Sequence, residues 1–499
     1  MRRALAFAAA LAARAAAADQ FPEPEQFATE RLRVAGRLTS VHAEDLDGDG
    51  RRDLIALFVD GQPPAQRRRI ALFFDHRGFR AAPDQVLDAP AGASFVTAAD
   101  VAGDARRELL FADAQGLGYL ALGEHGFGDA RRLVAVAGLA LLAEEDELPW
   151  LDVARDWDGD GKVEILLPAV DRVHVIARNA DGGWSVKSEL QLPPKASYLV
   201  RTDSFEPRAR NYWMRAALVV PELFTGDFDG DGRADLVAVV DDEVSVFRGA
   251  PGGFSTAPAA RVRLGARTAD ETARGNAQVQ VSLLDLDGDG ILDIVVNKVV
   301  GGLGAMRAQI GVYHGKKGGA FGKPTQVFTR EGFAGALQFA DLDGDRRPEL
   351  IVCHAEVGFA EAARIVLSRR LSATFEVYRN RGRAGFSERP DAERPIDFAV
   401  DYSTGADLDG PFPTLADFDG DGAPDLVGPK EAGALAVWRG GGKALLADYP
   451  RAIVHLPLTR YYRALDLDGD RRADLILWYR FVAERQGQIV VLRNTGKGW

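Results

Sequence analysis

The segment Asp45-Leu-Asp47-Gly-Asp49-Gly-Arg-Arg-Asp53 places four carboxylates at positions 1, 3, 5 and 9 of a short run. The spacing recurs at Asp156, Asp158, Asp160 and Glu164, at Asp227, Asp229, Asp231 and Asp235, and at Asp285, Asp287, Asp289 and Asp293. It returns at Asp341, Asp343, Asp345 and Glu349, at Asp417, Asp419, Asp421 and Asp425, and at Asp466, Asp468, Asp470 and Asp474. A worn copy keeps Asp100, Asp104 and Glu108 but has Ala102 at position 3. Carboxylates at these positions of a tight turn converge on one point, and position 7 can add a backbone carbonyl. Oxygen donors in that number suit Ca²⁺ better than Zn²⁺ or Mg²⁺. The plainer alternative is an acidic surface turn that binds nothing, but carboxylates packed this closely repel without a cation. The expectation is therefore several Ca²⁺ ions, up to one per copy, with the second loop doubtful.

Glycine occupies position 4 in all eight copies and position 6 in five. It permits the left-handed backbone that wraps an ion. Position 12 of the intact copies is Ala56, Leu167, Ala238, Val296, Val352, Gly428 or Leu477. An EF-hand needs an acid there between two helices, so that reading fails. Those residues lie instead in apolar β-type runs such as Leu54-Ile-Ala-Leu-Phe58.

The elements that must position the loops follow from the repeat. A short apolar run precedes each loop (strand A) and another follows it (strand B). A third (strand C) closes on Gly and an aromatic, as in Val244-Ser-Val-Phe-Arg-Gly-Ala-Pro-Gly-Gly-Phe254, and a weaker run (strand D) completes the unit. Four strands per repeat predict a propeller blade. The fold class expected is all-β: a propeller of eight four-stranded blades, with an Asp-rich loop between strands A and B of each. The last unit shows strands at Tyr461–Leu465, Leu475–Tyr479 and Ile489–Leu492 but no strand D. The segment near 25–36 reads as a strand D without a blade, so it is expected to complete blade 8 and close the ring, removing the open edge.

The motif Asp-x-Asp-Gly-Asp-Gly-x-x-Asp-Leu, with the Gly-x-Phe close of strand C, resembles FG-GAP/VCBS repeats, whose propeller is similar to the integrin α headpiece. The resemblance covers nearly all of residues 25–499. It implies Ca²⁺ in the A–B loops, held at positions 1, 3, 5 and 9. Departures are Ala102 and Ala105 in the second copy, and Arg346 and Arg471 at the usual glycine of the sixth and eighth copies.

Residues 1–18 read as a signal peptide: basic Arg2-Arg3, an apolar run from Ala4, small residues at Ala15 to Ala18. Residues 19–499 are then one propeller domain, secreted or periplasmic within the cell envelope. Loss of Arg2, Arg3 and Arg14 takes the net charge from −12 to −15, which argues against nucleic acid or an anionic membrane surface as partner. Outside the N-terminus no apolar run is long enough to span a bilayer. Cys353 is the single cysteine, which excludes an internal disulfide.

Loop parity points to a ligand face. The longer insertions all join B to C or D to A, so they share the face opposite the Asp-rich loops. Candidates there are Tyr212, Trp213, Arg215, Arg307, Arg364, Tyr461, Tyr462 and Trp478, aromatics and arginines that can stack on sugar rings or grip a protein; the alternative is that they pack the insertions onto the ring. No catalytic residues are assigned, since His-Glu-x-x-His, Gly-x-Ser-x-Gly and phosphate-loop patterns are absent. His174 and His314 are expected at equivalent strand C positions, and Arg67-Arg-Arg69 in a solvated loop. The leading functional reading is a non-catalytic binding or adhesion scaffold, as a monomeric ring, for a protein or carbohydrate ligand. The alternatives are a polysaccharide lyase or hydrolase on the same scaffold, and a structural component of an envelope complex.

Overall fold

The computed structural model describes residues 25–499 except 62–64, 138–146, 193–194, 203–211, 267, 269–270, 272–276, 302–305, 336, 357, 369, 400–412, 432–433, 456–460 and 481–484. The leader at 1–18 lies outside the described residues.

Blade 1 runs Arg37–Glu44, Asp53–Asp60, Arg67–Phe73 and Gln85–Asp88, each strand antiparallel to the next. Seven further blades of the same order follow, eight in all; in blade 6 the innermost strand is broken into Phe333–Ala334 and Gln338–Ala340, both paired with Glu349–Ala355. The last consists of Tyr461–Leu465, Asp474–Trp478 and Gln488–Asn494, and its fourth strand is Phe27–Arg33 from the other end of the chain. That pairing runs from Phe27 opposite Asn494 to Arg33 opposite Gln488. It closes the ring as expected.

Strand B shows why this sequence makes blades. In Asp53–Asp60 seven consecutive residues are buried. Alternate side chains point to opposite sheet faces. Leu54, Ala56 and Phe58 enter the wedge shared with blade 8, while Ile55 and Leu57 enter the wedge shared with blade 2. A strand covered on both faces reads as a continuous apolar run. The core is accordingly eight such wedges, one between each pair of neighbouring blades. Strand D is outermost, with half its residues exposed in Gln85–Asp88 and Ala260–Arg263, and its sequence signal is correspondingly weak.

Strands A lie innermost. Arg463 of blade 8 reaches His42 of blade 1 at 3.2 Å, and Gln338 of blade 6 bonds the Pro413 carbonyl ahead of strand A of blade 7. The segment before strand A of blade 3 crosses toward this axis. Trp150 stacks on the His42 ring at 4.3 Å, and Glu147 pairs with Arg480 beyond strand B of blade 8.

The elaborations leave the ring where parity places them. A hairpin of Lys195–Thr202 and Tyr212–Val219 joins strand D of blade 3 to strand A of blade 4. Helix α1 (Phe359–Ser368) joins strands B and C of blade 6. Two expectations are corrected. Arg67–Arg69 begin strand C of blade 1, where Arg69 pairs with Asp88 at 3.0 Å, so they are not a loop. His174 sits early in strand C opposite Leu167, whereas His314 follows the end of its strand, so the two are not equivalent. Among the described residues no helix is long and apolar enough to cross a membrane.

Candidate functional site

Each Asp-rich loop is wound on its own carboxylates. In blade 1, Asp45 accepts from the Gly48 and Gly50 amides at 2.8 and 3.0 Å, and Asp49 from Arg51 N at 2.8 Å. Asp53 is buried and both its oxygens are used: Leu46 N donates to one at 3.0 Å, and Asp75 N, just past strand C, to the other at 2.8 Å. The pattern returns on Asp227 and Asp235 in blade 4, Asp417 and Asp425 in blade 7, and Asp466 and Asp474 in blade 8. Position 1 therefore winds the loop, and position 9 ties it to the floor of the blade.

The winding needs positive φ at positions 4 and 6, met by Gly48 and Gly50 at 80° and 87°. Ala105, Arg346 and Arg471 adopt the same region at 70°, 68° and 70°, and their amides still donate to Asp100, Asp341 and Asp466. The loop is thus imposed even where its glycine is lost.

The carboxylates converge. One oxygen from each of Asp45, Asp47 and Asp53 lies within 4.8 Å of the others, and seven such groups occur among the described residues. Four of the others are Asp156, Asp158 and Glu164; Asp227, Asp229 and Asp235; Asp285, Asp287 and Asp289; and Asp341, Asp343 and Glu349. These groups can hold a metal ion, and their all-oxygen donor set fits a hard cation. Two observations support the fit. Burial pushes the carboxyl groups of Asp53, Glu164, Glu349 and Asp474 up to about 7, and that of Asp425 to about 6, a cost an adjacent cation would offset. Asp229 Oδ1 in blade 4 is buried without a hydrogen-bond partner, an orphan that an ion would satisfy.

A second feature was missed in the sequence. The residue after strand C is basic in four blades, and Arg493 near the end of strand C serves in blade 8; each faces the position 3 acid. Arg248 Nε lies 2.7 Å from Asp229, Arg439 Nε 2.6 Å from Asp419, and Arg379 pairs with Asp343. His314 and Arg493 stand at 4.0 Å from Asp287 and Asp468. These groups orient the carboxylates, as outer-shell partners do for metal ligands. The signal was present as Phe247-Arg-Gly, Tyr378-Arg-Asn, Trp438-Arg-Gly and Leu492-Arg-Asn.

The candidate ligand-face residues are not gathered in one place. Tyr212, Trp213 and Arg215 lie on the second strand of the hairpin, opposite Thr202, Arg201 and Leu199. Arg307 opens strand C of blade 5 and pairs with Glu331 at 2.9 Å; Arg364 pairs with Glu361 one turn away on α1. Trp478 is 6% exposed and packs on Tyr461 at 5.8 Å within the wedge between blades 8 and 1. Tyr462 directs its hydroxyl to the Val427 carbonyl of blade 7 at 3.4 Å. A cavity of about 220 Å³ opens at the foot of the hairpin, lined by Arg155, Trp157, Pro168, Val173 and Pro221. The Arg155 guanidinium covers the Trp157 ring at 3.7 Å. Cys353 is buried in strand B, which pushes its thiol up to about 12.

With this geometry, the comparisons fall into place. Residues 227–296, from the blade 4 loop through strand B of blade 5, match the family described as FG-GAP-like repeat. The chain is an eight-bladed β-propeller that carries an FG-GAP-like repeat. Similar solved structures include an Agrocybe aegerita lectin that recognises non-reducing terminal N-acetylglucosamine. It is 15% identical, with 94% of this chain and 86% of that one covered and a TM-score of 0.37. The V. cholerae biofilm matrix protein Bap1 is 14% identical, with 94% and 88% covered and a TM-score of 0.31. The Vanderwaltozyma polyspora Nup133 propeller is 11% identical, with 84% and 96% covered and a TM-score of 0.40. No curated protein matches the sequence.

Proposed function

We propose that the protein is an exported, calcium-braced scaffold that binds a protein or carbohydrate ligand without chemistry of its own. The observation that carries the reading is the same carboxylate group repeated around the ring, wound and oriented alike in blade after blade. Ca²⁺ would be held by the acids at positions 1, 3, 5 and 9 of each intact loop. The blade 2 loop, with Ala102 in place of an acid, would bind weakly. Each ion bound only by the folded ring adds about 2.7 kcal/mol at a hundredfold excess over Kd. Extracellular or periplasmic Ca²⁺ at millimolar levels would fill sites of moderate affinity. The ligand face is the one that carries the hairpin and α1, and the cavity beside Arg155 and Trp157 opens at the foot of that hairpin. A thermal melt of the protein lacking residues 1–18, in EDTA and in millimolar Ca²⁺, tests the reading. The expected result is a large Ca²⁺-dependent rise in Tm with no rise from Mg²⁺ at equal concentration. Equal melting in all three solutions would remove the calcium assignment.

A further inference from the structure

The opposite face, which carries the Asp-rich loops, holds a separate cleft of about 750 Å³ between blades 7 and 8. That is within the ~300–1,000 Å³ range of small-ligand sites. One wall is the turn between strands C and D of blade 7, with Asp448, Tyr449 and Arg451; the other is the segment after strand C of blade 8, with Trp499. Tyr449 is 83% exposed and makes no hydrogen bond or ring contact with a described residue. Among the described residues the other exposed large apolar side chains are aliphatic. Arg451 also lines the cleft, and its guanidinium pairs with no acid among the described residues, although many other arginines of this acidic chain do.

Trp499 is fixed in place. Its ring stacks on Phe418 at 5.6 Å, and its Nε1 donates to Asn494 at 2.7 Å. The cleft therefore offers a rigid indole wall, an uncommitted phenol, a planar guanidinium donor and the second oxygen of the Asp448 carboxylate, whose first accepts from Arg394 at 3.2 Å. An apolar occupant would leave the charged groups unsatisfied, and a purely ionic one would leave the aromatic ring exposed. A pyranose ring meets both demands: its C–H face lies on an aromatic plane and its hydroxyls pair with guanidinium and carboxylate edges.

We propose that this cleft is a carbohydrate-binding site in which Tyr449 is the stacking platform and Arg451 and Asp448 take the ring hydroxyls. It lies apart from the ligand face proposed above. Its three key residues are none of the candidate metal ligands, but the floor of the cleft adjoins the blade 7 loop through Asp419, Asp421 and the Arg439 that pairs with both.

The test uses the chain lacking residues 1–18 in Ca²⁺ buffer. Saturation-transfer NMR and calorimetry are run with the methyl glycosides of glucose, galactose, mannose, N-acetylglucosamine and glucuronic acid. At least one should bind, and Tyr449→Ala and Arg451→Ala should each weaken it about tenfold or more with Tm unchanged. Tyr449→Phe, which keeps the ring, should retain most of the affinity. Absence of binding by all five up to their solubility limits would overturn the proposal. So would binding that survives Tyr449→Ala, or an acidic peptide that occupies the cleft when no glycoside does. Melts of the same samples with and without EDTA read the calcium assignment separately.

Discussion

At the scale of single residues, the loops separate what the backbone demands from what glycine makes easy. Arg346 and Arg471 hold φ near 70° without a glycine. An L-residue in that region costs about 1–2 kcal/mol. Arg346→Gly and Arg471→Gly should each stabilise the protein by about 1 kcal/mol in urea unfolding, less what the more flexible unfolded chain takes back. The ring seam makes a sharper prediction. Asp75 is fully buried between Arg51 at 2.9 Å and Arg493 at 2.8 Å, and Arg493 also holds Glu30 of the N-terminal strand at 3.0 Å. Asp75→Ala takes the nearest carboxylate from both guanidinium groups, leaving Arg493 with Glu30, and should cost about 3 kcal/mol by the same measurement. His42 gives a pH dependence. Burial first, and then the Arg463 charge, lower its pKa from 6.5 to about 3. The unfolded chain takes a proton near 6.5 that the folded ring refuses, so this contribution is present above that value and lost as pH falls toward 3. Unfolding midpoints for wild type and His42→Gln should therefore diverge on acidification, the wild type losing stability with the steeper slope.

At the scale of elements, the strand Phe27–Arg33 is the closure. Deleting it leaves blade 8 with three strands and an open edge, a template for pairing with another chain. The truncated protein should melt lower and appear as oligomers in size-exclusion chromatography. Strand B was legible because both its faces are buried, and the displaced strand D because the last repeat lacked one. The hairpin is legible only as one of the longer D-to-A insertions, because its strands Lys195–Thr202 and Tyr212–Val219 carry no repeat signal. The segment Glu147–Trp150 lies in another D-to-A connection. Its reach to His42 and Arg480 is a contact across the ring, which spacing along the chain does not encode. The site was legible in the same unequal way. The carboxylates announce themselves by their spacing. The basic residues after strand C were visible as letters, but their partners, such as Asp229 for Arg248, became apparent only with strand register.

At the scale of the whole molecule, the ring concentrates negative charge on one face. The chain carries −12 in all, and every Asp-rich loop sits on the same side of its blade. Several of the acids beneath them are buried enough to resist ionisation, Asp53 and Asp474 among them. Divalent ions would relieve both costs, since each supplies positive charge where repulsion and desolvation meet. The ring would then be an assembly of near-identical wedges, each braced at one end by an ion and free at the other to carry insertions. The measurement that tests this most directly is a count of bound calcium by native mass spectrometry on the protein lacking residues 1–18. Seven firmly held ions are predicted, one for each intact Asp-rich loop, with the Ala102 loop of blade 2 the first to lose its ion as Ca²⁺ is lowered. A protein that stays folded in millimolar Ca²⁺ and carries none would contradict the account.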